Sequence, residues 1–230
     1  MRIALLAWVV AIGLPLGDAL AQAAAATADD IEYKPPTRGA PARRVGGSSR
    51  GTEKLPVIAV LAPDHVGLTV SEQPALFWFV SQATGVRIEI TLIDSQGVKP
   101  IVETSIARAA PGIYRFSLAE FNVRLKPDEE YQWSVSLVPD EGQRSTDIMS
   151  QGAVKLVALP RELAARLAGL PTDAHAKAFA SAGIWYDAFA ALSEAITRTP
   201  ADRSLREARA ALLDQVGLSF AAAYERQAAR

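Results

Sequence analysis

The chain has 230 residues, 50% of them hydrophobic and 21% charged, and a formal net charge of −1. It is too apolar to stay disordered, long enough for one or two domains, and too evenly charged to bind nucleic acid by bulk electrostatics. It has no cysteine and only two histidines, His65 and His175. This excludes thiol nucleophiles, iron–sulfur clusters, Cys-ligated zinc and disulfides, and leaves little for His-based metal sites or catalysis.

The first segment reads as an address. Met1 and Arg2 give a short positive start, Ile3 to Leu16 an apolar run, and Ala19-Leu20-Ala21 small residues at the two positions a signal peptidase reads. This is a secretory signal pattern over residues 1–21, cut after Ala21. The run is shorter than the roughly 20 apolar residues a membrane span needs. A soluble periplasmic or secreted protein is expected, without a lipid-anchored cysteine.

Residues 22–56 are rich in Ala, Pro, Gly and Arg and show no apolar periodicity, so they read as an irregular arm. Arg38, Arg43, Arg44 and Arg50 fall in a stretch without an acid, interleaved with glycines that let backbone amides turn toward an anion. Arginine forks suit carboxylate or phosphate, so the arm is a candidate anion-recognition loop, with a solvated linker as the plainer alternative. The glycines do not make a P-loop, because no Gly-Lys-Ser/Thr follows them.

Alanine divides what remains. Nine occur among the 101 residues 57–157 and 22 among the 73 residues 158–230. Alanine favours helix, and β-branched and aromatic residues favour strand, so residues 57–157 are expected to be β and residues 158–230 α. Within the former, Val86, Ile88, Ile90 and Leu92 alternate with polar neighbours, as do Tyr131, Trp133, Val135 and Leu137. Turns follow at Asp94-Ser95-Gln96-Gly97 and Pro139-Asp140-Glu141-Gly142. Further strands are predicted at 57–61, 76–80, 100–105, 112–118 and 148–157. Seven short strands of this kind describe an antiparallel β-sandwich, and the overall class is α+β. Leu125-Lys126-Pro127 with Tyr131 opening an alternating strand resembles the fibronectin type III pattern. That resemblance implies an Ig-like sandwich in which the Tyr131 hydroxyl bonds the backbone a few residues upstream. Trp78 and Trp133 are expected in the core.

The last region predicts four helices: one opened by Pro160, a second capped by Thr172 or Asp173 and running to about Ala182, a third to about Arg198, and a fourth from Asp202 or Ser204 to near Gly217. Trp185, Ala188, Phe189, Leu192, Ala195 and Ile196 form one apolar face. Phe179, Gly183, Trp185, Ala188, Leu192, Ala195 and Pro200 resemble one tetratricopeptide unit. A single helical hairpin docked on the sandwich is the simpler reading, because repeat arrays need about three units or more. Tyr186 and Asp187 project away from the hairpin core, either to cap the sandwich–helix contact or to meet a partner.

Four stretches together resemble the bacterial family called domain of unknown function 928: residues 36–51, residues 67–74 with Phe77-Trp78-Phe79, the Tyr131 strand with Arg144-Ser145, and residues 182–188. The resemblance implies an exported protein and supplies no activity, cofactor or catalytic residue. The acid clusters at 128–130 and 140–141 read as solvated turns, because no calcium-loop spacing is present. No Gly-x-Ser-x-Gly elbow accompanies either histidine. The reading is a non-enzymatic envelope protein without metal or cofactor that binds another protein or acts as a scaffold. The alternatives are a module that binds an anionic surface polymer through the arm, and a hydrolase.

Overall fold

A computed structural model describes residues 31–36, 55–97 and 99–229. Eight strands come first: β1 (Ile58–Val60), β2 (Gly67–Thr69), β3 (Ala75–Val80), β4 (Arg87–Asp94), β5 (Pro100–Ile106), β6 (Gly112–Ser117), β7 (Glu130–Val138) and β8 (Ile148–Leu156). Five helices follow: α1 (Arg161–Ala168), α2 (His175–Ser181), α3 (Trp185–Arg198), α4 (Arg203–Gln215) and α5 (Ser219–Ala228). The class is α+β, as expected.

The strands form two sheets, one ordered β1-β3-β6 and the other β2-β8-β7-β4-β5. In the larger sheet the period-2 pattern decides which way each strand faces. Ile88, Ile90 and Leu92 of β4 and Tyr131, Trp133, Val135 and Leu137 of β7 are buried, and the residues between them look outward. β3 lacks this alternation because both its faces are covered. Trp78 stacks on Tyr114 at 4.5 Å, while Phe77 and Phe79 meet Phe189 and Tyr224 of the helical region at 5.1 and 5.2 Å. A strand covered on both sides reads as a continuous apolar run.

The strands number eight among the described residues, not seven, and further expectations need correction. The sheets are not wholly antiparallel, because β2 runs parallel to β8, with Gly67 opposite Val154 and Thr69 opposite Leu156. β2 has only three residues, too few for a period-2 signal. The helices number five among the described residues, because Gly217 (φ 72°) ends α4 and α5 starts two residues later. Residues 31–36 of the arm are irregular, as expected, but they are not a solvated linker. Ile31–Pro36 lie against the core, with the Lys34 amide donating to the Ala180 carbonyl and the Tyr33 amide to Gln215 Oε1. Tyr33 is 7% exposed and packs edge-on against Trp185.

Asp202 does cap α4, accepting from the Ser204 amide. Thr172 and Asp173 cap nothing. They belong to a single 3₁₀ turn that follows Pro171 and runs directly into α2.

α2 and α3 form the predicted hairpin. Gly183 joins them at φ 75°, and a Cβ there would stand 2.7 Å from the Lys34 carbonyl oxygen, so both the turn and the docked segment need glycine. The apolar face of α3 is buried at every predicted position, from Trp185 to Ile196. One hydrophobic core runs through both sheets and α2 to α5, so the helical region completes the β core.

Candidate functional site

α3 crosses from the β2–β3 connection toward the β3–β6 sheet, and its first turn makes the junction. Trp185 Nε1 donates to the Leu61 carbonyl at 2.9 Å. The Tyr186 hydroxyl accepts from Trp133 Nε1 at 3.0 Å and donates to the Ala153 carbonyl at 2.9 Å. Tyr186 is 1% exposed, and burial pushes its phenol well above the ordinary range. Gly67 admits this ring, since a Cβ there would lie 2.6 Å from it. Tyr186 therefore caps the contact between sheet and helix from within. Asp187, one residue on, points elsewhere. Its carboxylate accepts from the Val70 amide at 3.1 Å and from the Thr69 hydroxyl, tying α3 to β2. Burial raises its pKa, and those two hydrogen bonds partly offset the rise.

Asp187 opens onto a groove. One cavity of about 270 Å³ lies between the Thr69–Ala75 segment and α2 and α3, with Asp187, Ala190 and Ala191 on its α3 wall. A second, of about 540 Å³, lies between β3 and β6 on one side and α3 and α4 on the other, lined by Phe77, Ile113, Ile196 and Arg209. Arg115, Glu194 and Arg198 line both, so the two cavities adjoin along α3. Alanines at 190 and 191 keep the first part open. Arg115 rests 3.6 Å from Glu120 and Arg198 2.8 Å from Asp173, and all four side chains are exposed. Arg209 belongs to the wall. It is 7% exposed, bonded to Glu225 at 2.7 Å and to Ser193 Oγ, over the Phe189 ring. Burial lowers its pKa, and Glu225 opposes that.

The other predicted residues fall as follows. Arg38, Arg43, Arg44 and Arg50 lie outside the described residues. The Tyr131 hydroxyl accepts from the Lys126 amide at 3.1 Å, the upstream backbone bond expected of it, and donates to Glu129 at 3.0 Å. Trp78, Trp133 and Trp185 are core residues. His175 holds the turn after α1 through Nε2 and the carbonyls of Leu167 and Leu170. His65 stands between Asp64, 3.1 Å from Nδ1, and the Tyr33 hydroxyl, 2.9 Å from Nε2. That chain has the order of a proton relay, but burial first and then Asp64 raise the Tyr33 pKa, the reverse of what a nucleophile needs. Its evident work is to hold the 31–36 segment in place. Among the described residues no cluster of three His, Asp or Glu side chains could hold a metal, and no helix is long and apolar enough to cross a membrane.

The groove residues Arg115, Glu194 and Arg198 were not singled out from the sequence. Arg115 alternates with apolar neighbours in β6, which marks its face but not what lies opposite. Only the packing of α3 brings the three together.

Among solved structures, the sensor domain of the anti-sigma factor RsgI4 from Pseudobacteroides cellulosolvens is similar over 46% of this chain and 93% of that one. The identity is 18% and the TM-score 0.31. No curated protein matches the chain. The family model described as Domain of Unknown Function (DUF928) matches residues 38–226, and the chain belongs to that family.

Proposed function

We propose that this is a non-enzymatic binding or scaffold protein of the bacterial envelope, exported through its N-terminal signal sequence and built on an Ig-like sandwich. The groove along α3 carries the reading. It is long, it joins an apolar stretch to a charged rim, and the side chains around it are held by neighbours rather than aimed at one reacting centre. The Ig-like type draws support from the two sheets and from the Tyr131 hydroxyl on the Lys126 amide. Export draws support from the Ile3–Leu16 run and Ala19-Leu20-Ala21.

The test is a photo-crosslinking amino acid placed at Ala191 in the groove and, as a control, at Gln96 in the exposed β4–β5 turn. In intact cells a discrete adduct forms from position 191 and not from 96. Equal labelling at both positions, or none at 191, sinks the groove as the binding site. N-terminal sequencing of the mature protein from the envelope fraction should begin at Gln22.

A further inference from the structure

We propose that the edge of β6 left unpaired among the described residues takes up an extended segment of a partner polypeptide as a fourth strand, with an acidic side chain of that segment seated between Arg115 and Arg198. This rests on the groove being the binding site and names what the groove binds.

The first observation is the edge itself. β6 is the last strand of its sheet, and all six of its residues pair with β3 in unbroken register, from Ser117 opposite Ala75 to Gly112 opposite Val80. Among the described residues, Gly112 to Phe116 make no other backbone hydrogen bond. A strand with a single neighbour leaves about half of its N–H and C=O groups facing outward, a template for another strand. Native edges are usually blunted by proline, by a bulge or by covering structure. β5, at the edge of the larger sheet, has the first two, with Pro100 at its start and a register shift against Leu92/Ile93. β6 has neither along its six residues, which span roughly 20 Å at the usual rise per residue.

The second observation is the face that such a strand would continue. Ile113 and Arg115 stand opposite Phe79 and Phe77, on the side of the sheet that meets the helices, and both line the larger cavity. Side chains alternate along a strand. A segment added beside β6 therefore places every second side chain over this cavity, next to Ile196 and Thr197 on the far wall. Backbone pairing gives affinity in this mode, and the alternate pockets give selectivity.

The third observation is charge. Two arginines and one glutamate, Arg115, Arg198 and Glu194, make the rim shared by both cavities. Each arginine now rests on an exposed acid, Glu120 or Asp173. Exposed pairs of this kind contribute little, so exchanging them for a carboxylate held inside the groove costs little.

The test uses a phage-displayed library of random dodecamers selected on the soluble protein, with the enriched peptides then synthesised. The expected peptides are rich in β-branched residues, lack a central proline and carry an Asp or Glu. On binding they slow amide hydrogen exchange in residues 112–117 but not in β5. Methylating alternate peptide amides abolishes binding in one phase of the alternation and spares the other. Replacing the peptide acid by Gln, or Arg115→Ser or Arg198→Ser in the protein, weakens binding roughly tenfold, the loss expected for one charge-assisted hydrogen bond. Both substitutions are at exposed side chains, and circular dichroism confirms that the variants fold. Enriched peptides that bind without protecting 112–117, or that tolerate methylation at every amide, overturn strand addition while leaving the groove as a binding site. Peptides that prefer Lys to Glu overturn the acidic seat. Failure to enrich any peptide overturns the inference, whereas the absence of a position-191 adduct in cells overturns the groove itself.

Discussion

The junction between sheet and helix and the outer face of the larger sheet spend polar groups in opposite ways. At the junction, Asp187 apart, the polar atoms are few, neutral and buried, and each has its partner. Trp185 reaches Leu61, and Trp133 and Ala153 both meet the Tyr186 hydroxyl. On the outer face the groups are many, charged and mostly exposed. Arg144 bonds Glu89 and Asp147, and Arg87 bonds Glu89 and Glu141. A neutral hydrogen bond out of water is costly to leave half-made, whereas an exposed ion pair exchanges readily for water. The junction should therefore fix the relation of the two halves, and the face should contribute mainly solubility and pH response.

The sharpest way to break this contrast is Trp185→Ala. The side chain is fully buried, stacks on Phe189 at 5.9 Å and meets Tyr33 at 5.1 Å. Loss of about 3–5 kcal/mol is expected from the cavity alone, read as a fall in the urea midpoint. Because Tyr33 leans on this ring, proteolysis should also begin to cut near residues 31–36. An unchanged cleavage pattern there would show that the segment is held by Gln215 and Ala180 without the aromatic contact.

The Arg209–Glu225 pair asks whether burial or neutrality matters. It is as buried as the junction but charged, with Glu225 1% exposed. Glu225→Ala strands an arginine and should cost about 3–5 kcal/mol, while Arg209→Met with Glu225→Leu should recover most of it or more. Ser193 keeps its bond to the Phe189 carbonyl in the double variant. If the double variant is no better than the single, the charges themselves are needed to register α4 against α5.

These contrasts also show what could be read from the sequence. The alternation of β4 and β7, the apolar face of α3 and the role of Gly183 were legible because each is a local pattern that repeats or turns. β2 was not, because three residues carry no period and its parallel partner lies over 80 positions away. Tyr33 was hidden in a segment of low apolar content, and only the completed helices supply Trp185 and His65 around it. Tyr186 and Asp187 were read together as projecting away from the hairpin core, but adjacent helix positions differ by about 100°, and Tyr186 lies in the same buried cluster as Trp185. Which of them entered the sheet and which faced the groove depended on where Gly67 left room.

A smaller effect follows from the Tyr186 hydroxyl. Tyr186→Phe keeps the ring against Gly67 and removes one oxygen, taking from Trp133 Nε1 its acceptor and from the Ala153 carbonyl one donor. The expected loss is about 1–3 kcal/mol. Near-UV circular dichroism should change with it, since the Trp133 indole loses the Tyr186 hydroxyl. A neutral result would mean that the junction rests on packing alone.

The smallest effects are in pH, and here the two regions should have opposite signs. On the outer face, the Arg144 hydrogen bond, with Arg144 and Arg87 charge, holds the Glu89 carboxyl below its ordinary 4.5, against a burial contribution. Such a group stabilises the fold above its unfolded value, and the contribution is lost as pH falls through the folded value. At the junction, burial holds Asp187 above its ordinary 3.8. There the native state keeps a proton that the unfolded chain has already released, so stability falls as pH rises from about 3.8 to the folded value. Asp187→Asn keeps an oxygen for the Val70 amide and a donor for Thr69. It should remove the falling contribution, so that stability climbs more steeply with pH across the acid range. Arg144→Ala should do the opposite and flatten the climb, because Glu89 loses the first cause of its lowered value, so the small loss of stability shows at pH 7 and fades as pH falls. Melting curves between pH 3 and 7 on both variants measure the two signs directly. Parallel shifts in the same direction would mean that the junction carboxylate is not held out of water, and that the neutral, buried character assigned to the junction stops at Tyr186.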